Sequence, residues 1–201
     1  GAGRGCAALL GFVTADNASG RGLLRLGASA IASAYIATRA RSPPPLAGTL
    51  RHCAAPVTDR WPARAAARRR DAPREAGFHY PDVASWRAQM VQRPYPVESL
   101  RVGATGRALV EAVGDTDRLL WLDGEERERV AAIRALAGRA LRRGRHFFMY
   151  STRAGDAAAA RRLGLRMRCG YLLALALGSA HETMVRGWAA LPWHVQSGDR
   201  M

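Results

Sequence analysis

The sequence has 201 residues and a formal net charge of +15, from 31 basic and 16 acidic residues. A chain of this length holds one ordinary domain plus an extension, and no run of roughly 18 or more apolar residues predicts a free-standing transmembrane helix. Three cysteines far apart in the sequence argue against a disulfide-stapled secreted domain.

The positive charge has two explanations. All 31 basic residues are arginine, and such an excess is typical of proteins that bind nucleic acid. Asn occurs once and Ile three times, so GC-rich codon usage also explains why lysine is missing. The net charge is the better evidence for an anionic partner, because codon usage does little to remove acidic residues.

Residues 1–72 are predicted to form a basic N-terminal extension. They contain 11 Arg against three Asp, in a background of Ala, Gly and Ser interrupted by Pro43 to Pro45. An Arg-rich, acid-poor segment of this kind is typical of an organelle transit peptide, and it has too few large apolar residues for a core. We expect an extended arm that includes a short helix around Leu23 to Ala37.

Residues 73–201 are predicted to form a helical domain. A short helix is expected near Val83 to Gln92, and the clearest helix covers residues 123–144, with Asp123 as cap and Glu126 completing a capping box. A third, apolar helix is expected over residues 170–180. The predicted fold class is therefore mostly α, with a small helical domain behind a long, Arg-rich, extended N-terminal arm. The predicted core residues are Val130, Ile133, Leu136, Leu163, Leu172 and Leu175.

One glycine-containing turn, Gly103 to Gly106, lies between a predicted short strand and an apparent helix at residues 107–113. It resembles the glycine turn of atypical short-chain dehydrogenases, a resemblance that implies a dinucleotide-binding enzyme. The pattern departs from that family where Ala108 and Leu109 replace the last glycine, and no acidic strand end follows about 20 residues later. We therefore expect a loop.

No other motif predicts catalysis or a metal site. The string "HETMV" begins like a zinc-protease helix, but Val185 stands where the second histidine belongs. Cys53 lies beside His52, with no second pair at ligand spacing. We accordingly predict no enzyme activity, no catalytic residues, no cofactor and no metal.

A basic surface is predicted from the concentration of arginines between residues 134 and 168. This segment holds 10 Arg and one acid, Asp156, whereas a solvated helical surface normally mixes signs. Phosphate contacts are also expected for the densest basic stretch of the N-terminal extension. The predicted RNA-binding residues are Arg68, Arg69, Arg70, Arg139, Arg142, Arg143, Arg145, Arg161, Arg162, Arg166 and Arg168.

These patterns favour a non-catalytic subunit of a large organellar assembly. The first hypothesis is a mitochondrial ribosomal protein that contacts rRNA and neighbouring protein subunits. The alternative is a supernumerary subunit of a respiratory complex, ATP synthase or photosystem, with a membrane contact through residues 170–193, where Trp188 and Trp193 suit a membrane interface. The predicted location is the mitochondrion, with the plastid as the alternative. A nucleotide-dependent enzyme is a third hypothesis that depends only on the glycine turn.

Overall fold

A computed structural model describes residues 6–40, 51–52, 76–77, 82–90, 92–104 and 106–197 of the protein. Within these residues the chain forms one mixed sheet with helices on it. The eight strands lie in the order β1-β9-β2-β8-β7-β6-β5-β3, and β10 pairs separately with β4. The strands are β1 (Ala8–Thr14), β2 (Ser29–Ala40), β3 (Arg51–His52), β4 (Ala76–Gly77), β5 (Val97–Val102), β6 (Gly106–Val113), β7 (Thr116–Asp123), β8 (His146–Ser151), β9 (Leu165–Ala176) and β10 (Trp193–His194).

Within the described residues, five α-helices accompany these strands. They are α1 (Ala18–Arg25), α2 (Val83–Met90), α3 (Glu126–Arg142), α4 (Ala154–Arg162) and α5 (Glu182–Gly187). Single 3-10 turns flank α5, at Ser179–His181 and Trp188–Ala190. None of the described helices is long and apolar enough to cross a membrane. The mostly helical fold class predicted from the sequence is wrong, because the described residues form an eight-stranded mixed sheet with helices packed on it.

Strands were mistaken for helices where both faces of the sheet are covered. In β6, Ala108 and Val110 pack on one side while the intervening Leu109 is equally buried. In β9, Leu172 and Leu173 join different apolar clusters on opposite faces. A strand buried on both sides has no polar alternation, so its sequence reads as a continuous apolar run and mimics a helix. The helix predicted over residues 170–180 is mainly the second half of β9.

The main predicted helix is confirmed as α3, with shifted ends. β7 continues through Asp123, and Gly124 turns the chain at a φ of 129°. The capping box therefore uses Glu125 and Glu128 rather than Asp123 and Glu126. Ile133 and Leu136 face the sheet and are buried, as predicted, whereas Val130 packs at the margin of the same cluster.

The N-terminal segment is part of the sheet. β1 pairs with β9, and β2 lies between β8 and β9 with antiparallel pairing on both sides. Ala34 and Ala37, which the sequence placed on one helix face, are buried strand residues. The extended N-terminal arm is therefore a wrong prediction for residues 8–40. The proposed boundary at residue 72 lies outside the described residues and stays a prediction.

Two apolar layers cover the two faces of the sheet. α3 and α4 pack on one face, where Ile133, Leu136 and Ala160 meet Phe147. On the other face, Val185, Trp188 and Val195 from the C-terminal region pack against residues of β1, β2, β8 and β9. The Trp188 and Trp193 rings meet edge to face within this second layer. The membrane contact predicted for residues 170–193 stays a prediction.

Candidate functional site

The two parallel strands β7 and β8 separate toward their carboxyl ends. They pair from Thr116 with His146 to Leu119 with Met149, and no pair follows. Both strands then continue, β7 to Asp123 and β8 to Ser151. In open α/β sheets, ligands bind at the carboxyl ends of parallel strands. We call the opening between these two strand ends the cleft.

Two helices begin at the mouth of the cleft. α3 starts three residues after the end of β7, and α4 starts three residues after the end of β8. A buried ion pair joins their first turns, because Arg129 Nε lies 3.0 Å from Asp156 Oδ1. The Ser151 hydroxyl donates a hydrogen bond to the other carboxylate oxygen of Asp156 at 2.9 Å. These contacts fix the end of β8 relative to both helices.

Residues 193–197, which we call the closing segment, run into the cleft. The Gln196 carboxamide bonds both backbone groups of Leu122, accepting from its N–H at 2.6 Å and donating to its carbonyl at 3.1 Å. The Ser197 hydroxyl accepts from the N–H of Tyr150 at 3.1 Å. Neutral side chains thereby satisfy the backbone groups that the separating strands leave without a ladder partner.

A second row of polar contacts holds the closing segment at the mouth. Arg153 Nη2 lies 3.0 Å from His194 Nδ1, and the other ring nitrogen of His194 lies 3.0 Å from Gln196 Nε2. The Thr152 hydroxyl donates to the carbonyl of Trp193 at 2.6 Å and accepts from the N–H of Val195 at 2.9 Å. The closing segment is thus attached to β8 and its following loop by several hydrogen bonds.

Carboxylates fill the N-terminus of α3. Glu125 accepts from the N–H of Glu128, while Glu128 accepts from the N–H of Glu125 at 3.2 Å and from that of Ala104 at 3.1 Å. Glu126 reaches toward the start of α4, since its Oε1 is 3.1 Å from the position that a Cβ would take at Gly155. The helix dipole favours negative charge here, and the chain itself provides that charge.

The turn with Gly103 and Gly106 lies beside the N-terminus of α3, where the N–H of Ala104 donates to Glu128, but it does not start a helix. It connects β5 to β6, two antiparallel strands, and Gly103 adopts a φ of 60°. Residues 107–113 form the strand β6 instead of a helix. The expected loop is therefore a hairpin turn, and the dinucleotide interpretation has no strand-to-helix junction at this place.

The predicted RNA-binding arginines divide into three groups. Arg68, Arg69 and Arg70 lie outside the described residues. Arg139 pairs with Glu98, and Arg145 Nε lies 2.5 Å from Asp117 Oδ1, so both hold the domain together. The exposed group consists of Arg142, Arg143, Arg161, Arg162, Arg166 and Arg168.

Most of this exposed group gathers at the end of the sheet opposite the cleft. α3 and α4 both run back from the cleft, so their last turns end where β8 and β9 begin. Arg143 also approaches Glu98, at 3.9 Å. The sequence missed Ser151, Gln196 and the Arg129–Asp156 pair. The available signal was a polar residue directly after the apolar run of β8, immediately before a helix.

Comparisons with known proteins find solved structures with a similar fold. No protein-family model matches the sequence, and no curated protein matches it. The structure is similar to a GCN5-related N-acetyltransferase from Sphaerobacter thermophilus, with a TM-score of 0.55 and 17% identity, over 84% of this chain and 59% of that one. It is also similar to a probable N-acyltransferase from Enterococcus faecalis V583, with a TM-score of 0.50 and 13% identity, over 84% of this chain and 45% of that one. The chain thus spans about half the length of these neighbours.

This likeness shows the fold, which is that of a solved N-acetyltransferase and of a probable N-acyltransferase. It overturns the prediction of a non-catalytic subunit of an organellar ribosome or bioenergetic complex. That prediction depended on an N-terminal arm, on the basic segment 134–168 and on the absence of a catalytic motif, whereas residues 8–40 contribute strands to the sheet and the sheet has a cleft at the carboxyl ends of two parallel strands. The prediction of a helical, structural ribosomal protein is wrong for the same reason.

Coenzyme A is a common carrier of acyl groups, so its fit to the cleft can be examined. Its diphosphate requires N–H donors and positive charge, which a helix N-terminus normally offers. At α3 the N–H groups of Glu125 and Glu128 already bond carboxylates, and Glu126 adds negative charge nearby. The residues at this helix therefore do not fit the diphosphate of coenzyme A.

Proposed function

We propose that the protein is an acyltransferase that moves an acyl group from an activated donor to an amine. The observation that carries this proposal is the separation of β7 and β8 beyond Leu119 and Met149, with two helix N-termini at the opening. Two solved structures of similar fold are an N-acetyltransferase and a probable N-acyltransferase, which supports the same reaction class.

The reaction is a nucleophilic substitution at a carbonyl carbon. The neutral amine nitrogen attacks the acyl carbon of the donor, a C–N bond forms, and the bond to the leaving group breaks. The proton released by the amine passes to the leaving group or to solvent. The cleft contributes by holding the two reactants at attack distance, and positioning alone can lower such a barrier by several kcal/mol, roughly 7–11 in the best intramolecular cases.

Asp156 is a positioning residue in this proposal. Its carboxylate bonds Arg129 of α3 and Ser151 of β8, so it sets the spacing of the elements around the cleft. Asp156→Asn keeps the shape but weakens both contacts, and we expect acyl transfer to fall roughly tenfold or more. Asp117→Asn is the matched control, because Asp117 is equally buried and paired with Arg145 at the far end of β7.

The experiment measures acylated amine by mass spectrometry and released thiol by absorbance. The donors are acetyl-coenzyme A and S-acetylpantetheine, and the acceptors are a polyamine, a lysine-containing peptide and an amino sugar. We expect product with at least one pair, and a loss with Asp156→Asn that the control does not share. Folded protein that gives no product with any pair would refute the proposal, and equal effects of both variants would remove the cleft as its site.

We also propose that the exposed arginines at the opposite end of the sheet bind RNA. Arg161 and Arg162 end α4 beside Arg142 at the end of α3, which concentrates positive charge at one edge. Phosphate contacts release counterions, so affinity falls with salt, with a slope of about 0.7 per contact for single strands.

The test is anisotropy of a fluorescent single-stranded RNA across a salt series. Replacing Arg161 and Arg162 together by Ala should reduce the slope of log affinity against log salt by about 1.4. The matched control replaces Arg127 and Arg186, which are 87% and 75% exposed and lie elsewhere. Equal slopes for the two double variants would contradict this surface.

A further inference from the structure

The charges at the mouth of the cleft bear on the class of acyl donor, in particular on whether the donor carries a diphosphate. Helix N-termini at the carboxyl ends of parallel strands are common anion sites, because their free N–H groups and dipoles attract negative charge. Both helices at this mouth are long enough for such a role, with 17 residues in α3 and 9 in α4. A donor with a diphosphate would place it at one of them.

Both helix starts carry acidic side chains. In α3, Glu125 and Glu128 cap each other, and the carboxylate of Glu126 lies between the two helix starts, close to Gly155. In α4, the carboxylate of Asp156 is buried against Arg129 and Ser151. The carboxylates of α3 therefore occupy the position that favours an anion there, and Glu126 repels an anion at the start of α4 as well.

The basic side chains at the mouth are already engaged. Arg129 bonds Asp156 and also donates to the carbonyl of Gly124 at 3.0 Å. Arg127 lies 3.4 Å from a carboxylate oxygen of Glu125, and Arg153 lies against His194. Arg129 would have to leave the buried carboxylate of Asp156 to reach a diphosphate, and the charge of Arg127 is offset by the neighbouring Glu125.

The interior of the cleft has a different character. Its backbone groups at Leu122 and Tyr150 bond the carboxamide of Gln196 and the hydroxyl of Ser197, which are neutral. A donor that reaches between the strands must replace these two side chains and offer similar hydrogen-bonding groups. An arm that carries amides and hydroxyls meets that requirement.

We infer that the acyl donor is a thioester on a neutral, amide-bearing arm without a diphosphate, and that this arm displaces Gln196 and Ser197 from the cleft. This inference rests on the proposed acyl transfer and specifies its substrate class. S-acetylpantetheine represents the class. Acetyl-coenzyme A carries the same thioester and the same arm, extended by a diphosphate and a 3′-phosphorylated adenosine, so the two differ in the charged nucleotide portion, and the salt dependence separates its charge from its size.

The first measurement is kcat/KM for both thioesters with one amine acceptor. We expect the value for S-acetylpantetheine to exceed that for acetyl-coenzyme A by about threefold or more, since each nearby carboxylate repels the diphosphate. Added salt should raise the value for acetyl-coenzyme A alone, because it screens that repulsion. A higher kcat/KM for acetyl-coenzyme A would overturn the inference and leave the proposed acyl transfer standing.

Charge variants make the same test within the protein. Glu126→Gln should raise kcat/KM for acetyl-coenzyme A about twofold or more and leave that for S-acetylpantetheine unchanged. Asp115→Asn is the control, since Asp115 is 73% exposed near the opposite end of β7 and also loses one negative charge. A Glu126→Gln effect that is equal for both thioesters would contradict the charge argument.

Displacement of the closing segment can be tested separately, by KM and by hydrogen exchange. Replacing Gln196 and Ser197 by Ala should lower KM for S-acetylpantetheine and speed hydrogen exchange at the amides of Leu122 and Tyr150, which these side chains cover. A raised KM in this variant would mean that the two side chains assist the donor, and would overturn displacement. Failure of both thioesters with every variant would remove the proposed acyl transfer and this inference together.

Discussion

Substitution of Gly170 by Ala tests the most consequential difference between sequence and structure, the place of β1 in the sheet. Gly170 lies in β9 opposite Thr14 of β1. A Cβ at this position would collide with the carbonyl oxygen of Val13 and lie 2.9 Å from Cε2 of Phe12. The backbone carbonyl cannot rotate away without loss of the strand pairing, so β1 must shift.

The magnitude follows from two opposing terms. Overpacking of a close contact costs about 1–3 kcal/mol. Replacing glycine also reduces the entropy of the unfolded chain, which stabilises the folded state by about 0.4–1 kcal/mol. We therefore expect Gly170→Ala to lower the free energy of unfolding by about 1–2 kcal/mol.

Gly11→Ala is the matched control because Gly11 lies in β1 itself and a Cβ there would meet no atom within 4 Å. Only the entropic term applies, so this variant should be neutral or slightly stabilising. Urea unfolding followed by circular dichroism gives both values. If the two variants have equal free energies of unfolding, β1 does not pair with β9 and the N-terminal segment lies elsewhere.

Two further predictions concern buried and capping carboxylates. Glu111 is 1% exposed, and its carboxylate oxygens lie 2.8 Å from Arg93 Nε and 3.3 Å from Arg118 Nη1. Glu111→Ala should therefore lower the free energy of unfolding in urea by about 3–5 kcal/mol. A loss below about 1 kcal/mol would contradict a buried ion pair. The hydrogen bond from the N–H of Ser85 holds the pKa of Asp82 below its ordinary value. A lowered folded pKa stabilises the protein above the unfolded pKa, and this contribution is lost as the pH falls through the folded value. The protection factors of the amides in α2, that is, exchange rates relative to the unfolded chain at the same pH, should therefore fall toward acid pH in the wild type, and Asp82→Ala should show less of this dependence.

The sequence predicted α3 because that helix has one exposed face. Its buried residues recur at helical spacing, and its first turn contains acids that complement the dipole. β6 and β9 lacked such a signal, because residues on both of their faces are buried. Small residues in β2 added to the error, since Ala30, Ala34 and Ala37 also match a helical repeat. Periodicity identifies an element only when solvent marks one of its faces.

The candidate site was harder to predict than the fold. The contact between Leu122 and Gln196 joins residues 74 positions apart, and Gln196 has no motif around it. The separation of β7 and β8 is a property of strand pairing that no local pattern records. The arginine-rich surface was easier to predict, because an excess of positive charge can be counted directly along the sequence. Even there, the sequence could not distinguish Arg139 and Arg145, which pair with Glu98 and Asp117, from the exposed arginines.

A repeated unit explains why the N-terminal segment belongs to the sheet. The strand, helix and strand of β1, α1 and β2 correspond to β8, α4 and β9, and the order β1-β9-β2-β8 is unchanged when the two units are exchanged. Each helix ends at a Leu-Gly pair, where Gly27 and Gly164 adopt φ values of 91° and 72°. Each unit places its second strand between the two strands of the other, and β2 and β9 run antiparallel at the centre. In each unit the two strands are hydrogen-bonded only through the strand that the other unit inserts between them. Residues 8–40 and 146–176 therefore stabilise each other within one sheet. Residues 8–40 have few large apolar side chains and could not form a stable layer alone.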